Sequence, residues 1–282
     1  MKDTIKKELK EFEEEYGIEI IAARDTGSRA WSLQSKESDY DVSFIYIQDN
    51  YKYIAPTGYK QNIDRKTNTE HDIEYNSWNL DRFLSLLKGS NPSAIEFLQS
   101  ELKYYEPYPN YMRRLEDHAQ ENFKPLALMK HHHNLAKNQF ERYIKDGTDH
   151  TIKRHLYAIR SLTLRKYIKE TKQLPRLDYE EFLNTQDRHI GSWKAYKREI
   201  NQFIGKKKTG AGGNTVRTRK LAEKISKDLK NELPDDKKPD YAQQNIDTAY
   251  LAHWTKELIN EANKEPSMWS KWLSTFKKNM KN

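Results

Sequence analysis

The chain has 282 residues, of which one third are charged and 35% hydrophobic, with 18 tyrosines, six tryptophans and no cysteine. This composition describes a globular protein with much exposed charged helix, and it excludes disulfides, a cysteine-based zinc site and a thiol nucleophile. No apolar run approaches the roughly 18 residues that span a membrane, and the N-terminal stretch carries no hydrophobic signal core, so a cytoplasmic location is expected.

In chain order, residues 3–16 read as an amphipathic helix with Ile5, Leu9 and Phe12 on one stripe. Residues 18–23 read as a first strand, 25–28 as a turn containing Gly27 and Ser28, 29–34 as a short helix, and 40–47 as a second strand. Residues 49–65 are polar and broken by Pro56 and Gly58, as in a loop or irregular hairpin. The alternation from His71 to Tyr75 predicts a strand with one wet face, carrying Asp72 and Glu74. Residues 78–87 and 93–98 predict two helices, the second capped by Ser93, and Pro107 and Pro109 mark a connection. The strand pattern then stops.

Residues 125–144, 152–169, 179–183, 193–204, 216–231 and 241–263 predict helices, with a short basic helix at 269–278. In the first of these, His131, His132 and His133 are consecutive; neighbours on a helix diverge by about 100°, so the triplet cannot close on one metal, and one or two of the three are expected to line a cleft. Arg154, Arg160 and Arg165 of the next helix are candidates for phosphate contacts. The run 205–214, GKKKTGAGGN, lacks the order of a phosphate loop and follows no strand, which predicts a flexible basic linker. The expected division is a catalytic domain at 1–118 and a basic helical domain at 119–282. The first carries 16 Lys and Arg against 22 Asp and Glu, a net of −6; the second carries 34 against 20, a net of +14. An asymmetry of this kind suits a polyanionic partner for the second half, nucleic acid above all.

The chemistry concentrates between residues 20 and 47. Asp39 and Asp41 flank Tyr40 at the start of a strand, and side chains two apart share a face. Two adjacent carboxylates repel unless a cation neutralises them. Magnesium fits such a pair, because it takes oxygen ligands and is completed by substrate phosphates. Gly27 and Ser28, in a turn opening a helix, let backbone N–H groups approach a phosphate closely. A third carboxylate is needed on a neighbouring strand, and Glu74 or Asp72 can supply it.

A small-residue pair, a ten-residue gap and an Asp-x-Asp strand resemble the DNA polymerase β-like nucleotidyltransferases. The segments GSRAWSLQSKESDYDVSFIYI and IEYNSWNLDRFLSLLKGSNPSAIEFLQS are more closely similar to the RlaP family of that superfamily, associated with RNA repair. The likeness extends through MKHHHNLAKNQF and RHLYAIR and covers roughly residues 20–205. It implies an α+β fold, a mixed-sheet nucleotidyltransferase domain followed by an all-α domain. It places the third carboxylate on Glu74, where the family usually has Asp, and it makes His132, Lys137, Tyr157 and Arg160 cleft residues beside Gly27, Ser28 and Arg29. The implied reaction moves a nucleoside monophosphate from an NTP, ATP first among them, to an acceptor hydroxyl. Asp39, Asp41 and Glu74 would hold magnesium or manganese, Lys137 and Arg160 would face phosphates, and the basic half would receive an RNA end. Two other readings stay open: the same chemistry on a protein hydroxyl or small molecule, and a non-catalytic nucleotide- or RNA-binding module. Oligomeric state is not fixed by the sequence.

Overall fold

The computed structural model describes residues 1–48, 62–63, 65–67, 72–145, 150–185, 196–216, 219–231, 233–234 and 245–263. Helix α1 (Lys2–Tyr16) buries Ile5, Leu9 and Phe12, the stripe expected from their spacing. Gly17 ends it in the left-handed region (φ 57), where a residue without Cβ is unstrained. The chain then enters strand β1 (Ile18–Asp25) and returns antiparallel in β2 (Tyr40–Gln48). Strands β3 (Arg65–Thr67), β4 (Ile73–Asn79) and β5 (Lys103–Tyr105) complete a mixed sheet of order β3-β4-β2-β1-β5, in which β2 and β4 run parallel.

Alternation along the strands separates the two faces of this sheet. Val42, Phe44, Tyr46, Ile73 and Tyr75 pack against Phe12 of α1 in one apolar cluster. On the opposite face Ile21, Ala22 and Ile45 join a second, larger core. Asp41 and Ser43 lie on that second face with Ile45, and the parallel register sets Asp41 beside Glu74 and Ser43 beside Asn76.

Two helices follow β4: α2 (Leu80–Lys88) and α3 (Pro92–Gln99). Trp78, expected at a helix start, is in β4 instead, and Asn79 caps α2 by accepting from the Asp81 N–H at 3.1 Å. The cap of α3 is Asn91, not Ser93: its side-chain Oδ1 accepts from the Ser93 N–H at 2.9 Å, and Pro92 occupies the first helical position, where no N–H is needed. Asn91→Ala is expected to lower the free energy of unfolding by about 1 kcal/mol, read as a shift of the thermal midpoint with transfer chemistry unchanged. Of the two prolines expected to mark a connection, Pro109 also starts a helix, α4 (Pro109–Asn122). The expected boundary near Asp117 falls within it. Arg24 of β1, fully buried, ties sheet to helices through Glu106, Glu116 and the Leu98 carbonyl at 2.7 Å.

The rest is helical: α5 (Pro125–Gln139), a π-helical turn at Phe140–Ile144, α6 (Ile152–Thr171), α7 (Tyr179–Thr185), α8 (Lys197–Lys208), α9 (Arg219–Leu229) and α10 (Thr248–Ala262). Helix α6 is the centre of this part and is buried on most sides. Of its three arginines expected to meet phosphates, Arg160 and Arg165 are buried with it and Arg154 is half-buried. Arg165 donates to the Asp228 carbonyl at 2.9 Å and lies 2.6 Å from His133 Nδ1, and Arg154 stacks on Tyr143 at 3.8 Å. The run 205–214 is not a flexible linker either. Its first residues finish α8, Ala211–Gly213 form a 3-10 turn, and Asn214 and Val216 hydrogen-bond to Ile152 and His150 at the start of α6. Residues 49–61, His71, Trp193 and the segment 269–278 lie outside the described residues. No described helix is long and apolar enough to cross a membrane.

Candidate active site

The turn after β1 is set by Asp25, whose side chain is fully buried. Its Oδ1 accepts from the Gly27 N–H at 3.1 Å and its Oδ2 from the Tyr104 hydroxyl at 2.9 Å. The Leu33 N–H closes the turn on the Ser28 carbonyl at 2.8 Å, and Ser32 adopts φ 57. That left-handed residue stops the helix expected over 29–34, so the segment is a turn. Gly27 is required by space: a Cβ there would sit 1.6 Å from Asp41 Oδ2.

Asp39 precedes β2, Asp41 is its second residue and Glu74 is Asp41's neighbour on β4. One carboxylate oxygen from each lies within 4.8 Å of the others. Asp72, the other candidate third carboxylate, is not in the cluster; it sits at φ 44 and its carbonyl accepts from the Tyr40 N–H at 3.0 Å. Burial, then the charges of Asp39, Asp25 and Glu74, push the Asp41 carboxyl up to about 6, with Lys153 opposing. Three carboxylates so close, one of them holding its proton up to about pH 6, is the electrostatic state that a divalent cation relieves.

The sign of that shift gives a pH prediction. Metal-free, the folded protein binds a proton at Asp41 more tightly than the unfolded chain, so this group's contribution to stability is lost as pH rises through about 6. A metal must displace the same proton, so affinity for manganese, measured by titration calorimetry, is expected to fall about tenfold per pH unit below that value.

Arg29 does not point freely toward a phosphate. It donates to the Asp39 carbonyl at 3.1 Å and the Ser38 carbonyl at 2.5 Å, and lies over the Tyr40 ring at 3.7 Å, so it braces the segment that carries Asp39. Ser28 is buried in the turn. Tyr157 and Arg160 line a cleft of about 440 Å³ beside the carboxylates, together with Trp31, Glu96 and Gln139. Arg160 is committed to Glu96 at 3.0 Å and stacks on Trp31 at 4.1 Å. His132 lies behind it, 2% exposed and pushed down to about 3 by burial and by Arg160, so it is a neutral packing group. Lys137 is exposed, lies 3.9 Å from Glu141 and is absent from the cleft lining.

Two lysines that sequence reasoning did not single out stand where Lys137 was expected. Lys207, in the run set aside as a linker, is 6% exposed and donates to the Leu33 carbonyl, at the end of the Gly27 turn, at 2.6 Å. Burial and Lys153 hold it below the usual lysine range, while Asp39 and Asp41 pull it up. Lys153 is exposed in the first turn of α6, and its charge acts on Asp41. The local signal for Lys207 was the cluster of lysines among glycines, and Lys153 had none.

This fold and site define a nucleotidyltransferase of the polymerase β type. The chain belongs to the RlaP family, the RNA repair pathway DNA polymerase beta family, whose model matches residues 1–256. The uncharacterized protein YcgL of Bacillus subtilis (strain 168) is 32% identical over 213 residues, covering 74% of this chain and 78% of that protein. A solved nucleotidyltransferase-like protein from Exiguobacterium sibiricum 255-15 aligns over 80% of this chain and 72% of its own at 14% identity and a TM-score of 0.33.

Proposed function

We propose that this nucleotidyltransferase joins a nucleoside monophosphate, taken from an NTP with ATP first among them, to a hydroxyl at an RNA end: the hydroxyl gives up its proton and bonds to the α-phosphorus, and the bond to the β-phosphate breaks to release pyrophosphate. The observation that carries the reading is the group Asp39, Asp41 and Glu74, converging from β2 and β4 with no cationic side chain bonded to it among the described residues. Magnesium or manganese held there would lower the pKa of the acceptor hydroxyl and neutralise charge on the attacking and leaving oxygens.

The protein's own residues do the rest. Asp25 and Tyr104 fix the Gly27–Ser28 turn against Asp41. Arg29 holds the Asp39 backbone. Lys153 and Lys207 offset the negative charge of a triphosphate, Lys207 being kept in place by the Leu33 carbonyl. Residues 1–118 supply the carboxylates, and residues 119–282, with a net charge of +14, close the cleft and offer the surface for RNA.

The test is transfer of label from NTPs radiolabelled at the α-phosphate to total RNA or to the protein itself, with magnesium and with manganese. Label on RNA that disappears in the Asp39→Ala/Asp41→Ala double variant supports the proposal. Label on protein moves the acceptor to a protein hydroxyl, and no label with any NTP overturns the reading.

A further inference from the structure

The face of the sheet that carries Asp41 and Glu74 continues, one register step further, into Ser43 and Asn76. These two and Thr26, whose hydroxyl lies 2.7 Å from that of Ser43, form the floor of the cleft of about 440 Å³. Its walls come from three directions: Trp31 from the turn, Trp78 from β4 and Tyr157 from α6. Trp31 and Tyr157 meet edge to face at 5.5 Å.

At the far end stands a locked group. Glu96 of α3 accepts from Trp31 Nε1 at 2.9 Å with one oxygen and from Arg160 Nη2 at 3.0 Å with the other. The guanidinium lies over the Trp31 ring. A carboxylate at this position repels phosphate, and the cation beside it is already neutralised, so this end of the cleft is not built for polyphosphate. The lysines that suit polyphosphate are at the other end, beside the carboxylates. Two enclosed polar atoms in the cleft lining have no hydrogen-bond partner among the described residues: Gln139 Oε1, an acceptor, and Arg160 Nε, a donor on a side chain only 5% exposed. Enclosed groups of this kind cost free energy unless a ligand satisfies them.

We propose that this cleft seats the nucleoside of a purine nucleotide, its base flanked by Trp31, Trp78 and Tyr157 and read at its polar edge by Gln139, Arg160 and Glu96. A base carries donors and acceptors on one edge and π-faces above and below, which is what a lining of a free acceptor, a free donor and aromatic rings complements. The size selects the larger base: the volume lies within the range of small-molecule sites and takes a bicyclic ring with its ribose, and stacking grows with ring area. The floor then sets the ribose next to Asp41, and the α-phosphate falls at the carboxylates. This inference rests on the reaction proposed above and adds to it the place of the donor's nucleoside and the residues that choose its base.

The experiment is equilibrium binding of adenosine, guanosine, cytidine and uridine, then of the four NTPs, followed by tryptophan fluorescence without divalent metal. Purine ligands are expected to bind about tenfold more tightly than pyrimidines. Glu96→Gln, which keeps the shape but turns an NH2 onto one of the two donors that Glu96 accepts from, and Gln139→Ala, at a half-buried position with no partner to orphan, are each expected to cut that ratio about fivefold, what one neutral hydrogen bond is worth. Equal or tighter pyrimidine binding, a ratio unchanged in both variants, or no nucleoside binding overturns the assignment. Purine selectivity intact in a protein that transfers no label would sink the proposed reaction and leave the cleft's occupant standing. Label transfer with no base preference would do the reverse.

Discussion

Asp41→Asn is expected to reduce nucleotidyl transfer at least about a thousandfold while leaving the thermal midpoint unchanged or higher near neutral pH. The first half follows from arithmetic: a bound divalent ion contributes several kcal/mol to such a displacement, and each ~1.4 kcal/mol is a factor of ten. The second half follows from the electrostatics of the cluster. Asp41 is half-buried among Asp39, Asp25 and Glu74, and its carboxyl is pushed up to about 6. The metal-free fold is therefore strained by the charge that the variant removes, and asparagine keeps the shape that fills the space beside Gly27. Rates with saturating manganese, read beside the melting curve, check both halves. A variant that unfolds would mean that Asp41 holds the sheet together instead of holding a metal, and a variant that transfers normally would remove the cluster from the chemistry.

Short-range pattern paired Asp39 with Asp41 and offered both Asp72 and Glu74 as the third carboxylate; the choice of Glu74 came from the family likeness. Strand alternation put Asp39 and Asp41 on one side, and the helix stripe of Ile5, Leu9 and Phe12 and the strands that carry the carboxylates followed from the same kind of periodicity. What local pattern could not supply is which distant segment folds back onto the site. Lys207 reaches the Leu33 carbonyl across 174 positions of sequence, and nothing within the run GKKKTGAGGN says that Asn214 and Val216 will bond to the start of α6. Arg160 was legible as a cleft residue but not as one neutralised by Glu96, because the pairing depends on α3 packing against α6 across 64 positions. The smallest errors were about direction of reading. Pro109 served as a helix start where proline suggested a break, and Asn91 took the cap from Ser93, since proline needs no N–H at the first position. Ser32, in the left-handed region, turned an expected helix into a turn.

Gly27→Ala is expected to lower kcat about a hundredfold, the cost of displacing a reacting group by an ångström or so, and to weaken manganese binding in step. The added Cβ would lie 1.6 Å from Asp41 Oδ2, 2.4 Å from its Cγ and 2.6 Å from its Cβ, so one of the two must move. The turn cannot yield. Its Gly27 N–H is held by the buried Asp25, which is held in turn by Tyr104 and by the Leu102 carbonyl through its own N–H at 3.0 Å. The Asp41 backbone is bound as well, its carbonyl accepting from the Thr26 N–H at 2.9 Å. The carboxylate therefore rotates away from Asp39 and Glu74, and the loss is one of position and not of charge. Overpacking on this scale costs about 1–3 kcal/mol of stability, which the melting curve reports separately from rate. The decisive comparison is the double variant Gly27→Ala/Asp41→Asn. If the glycine acts only through the aspartate, the double variant transfers no more slowly than Asp41→Asn alone, because contacting residues that serve one interaction do not add. A further hundredfold drop would show instead that the Gly27 backbone touches the substrate itself, and it would move the phosphate contact from the lysines to the turn.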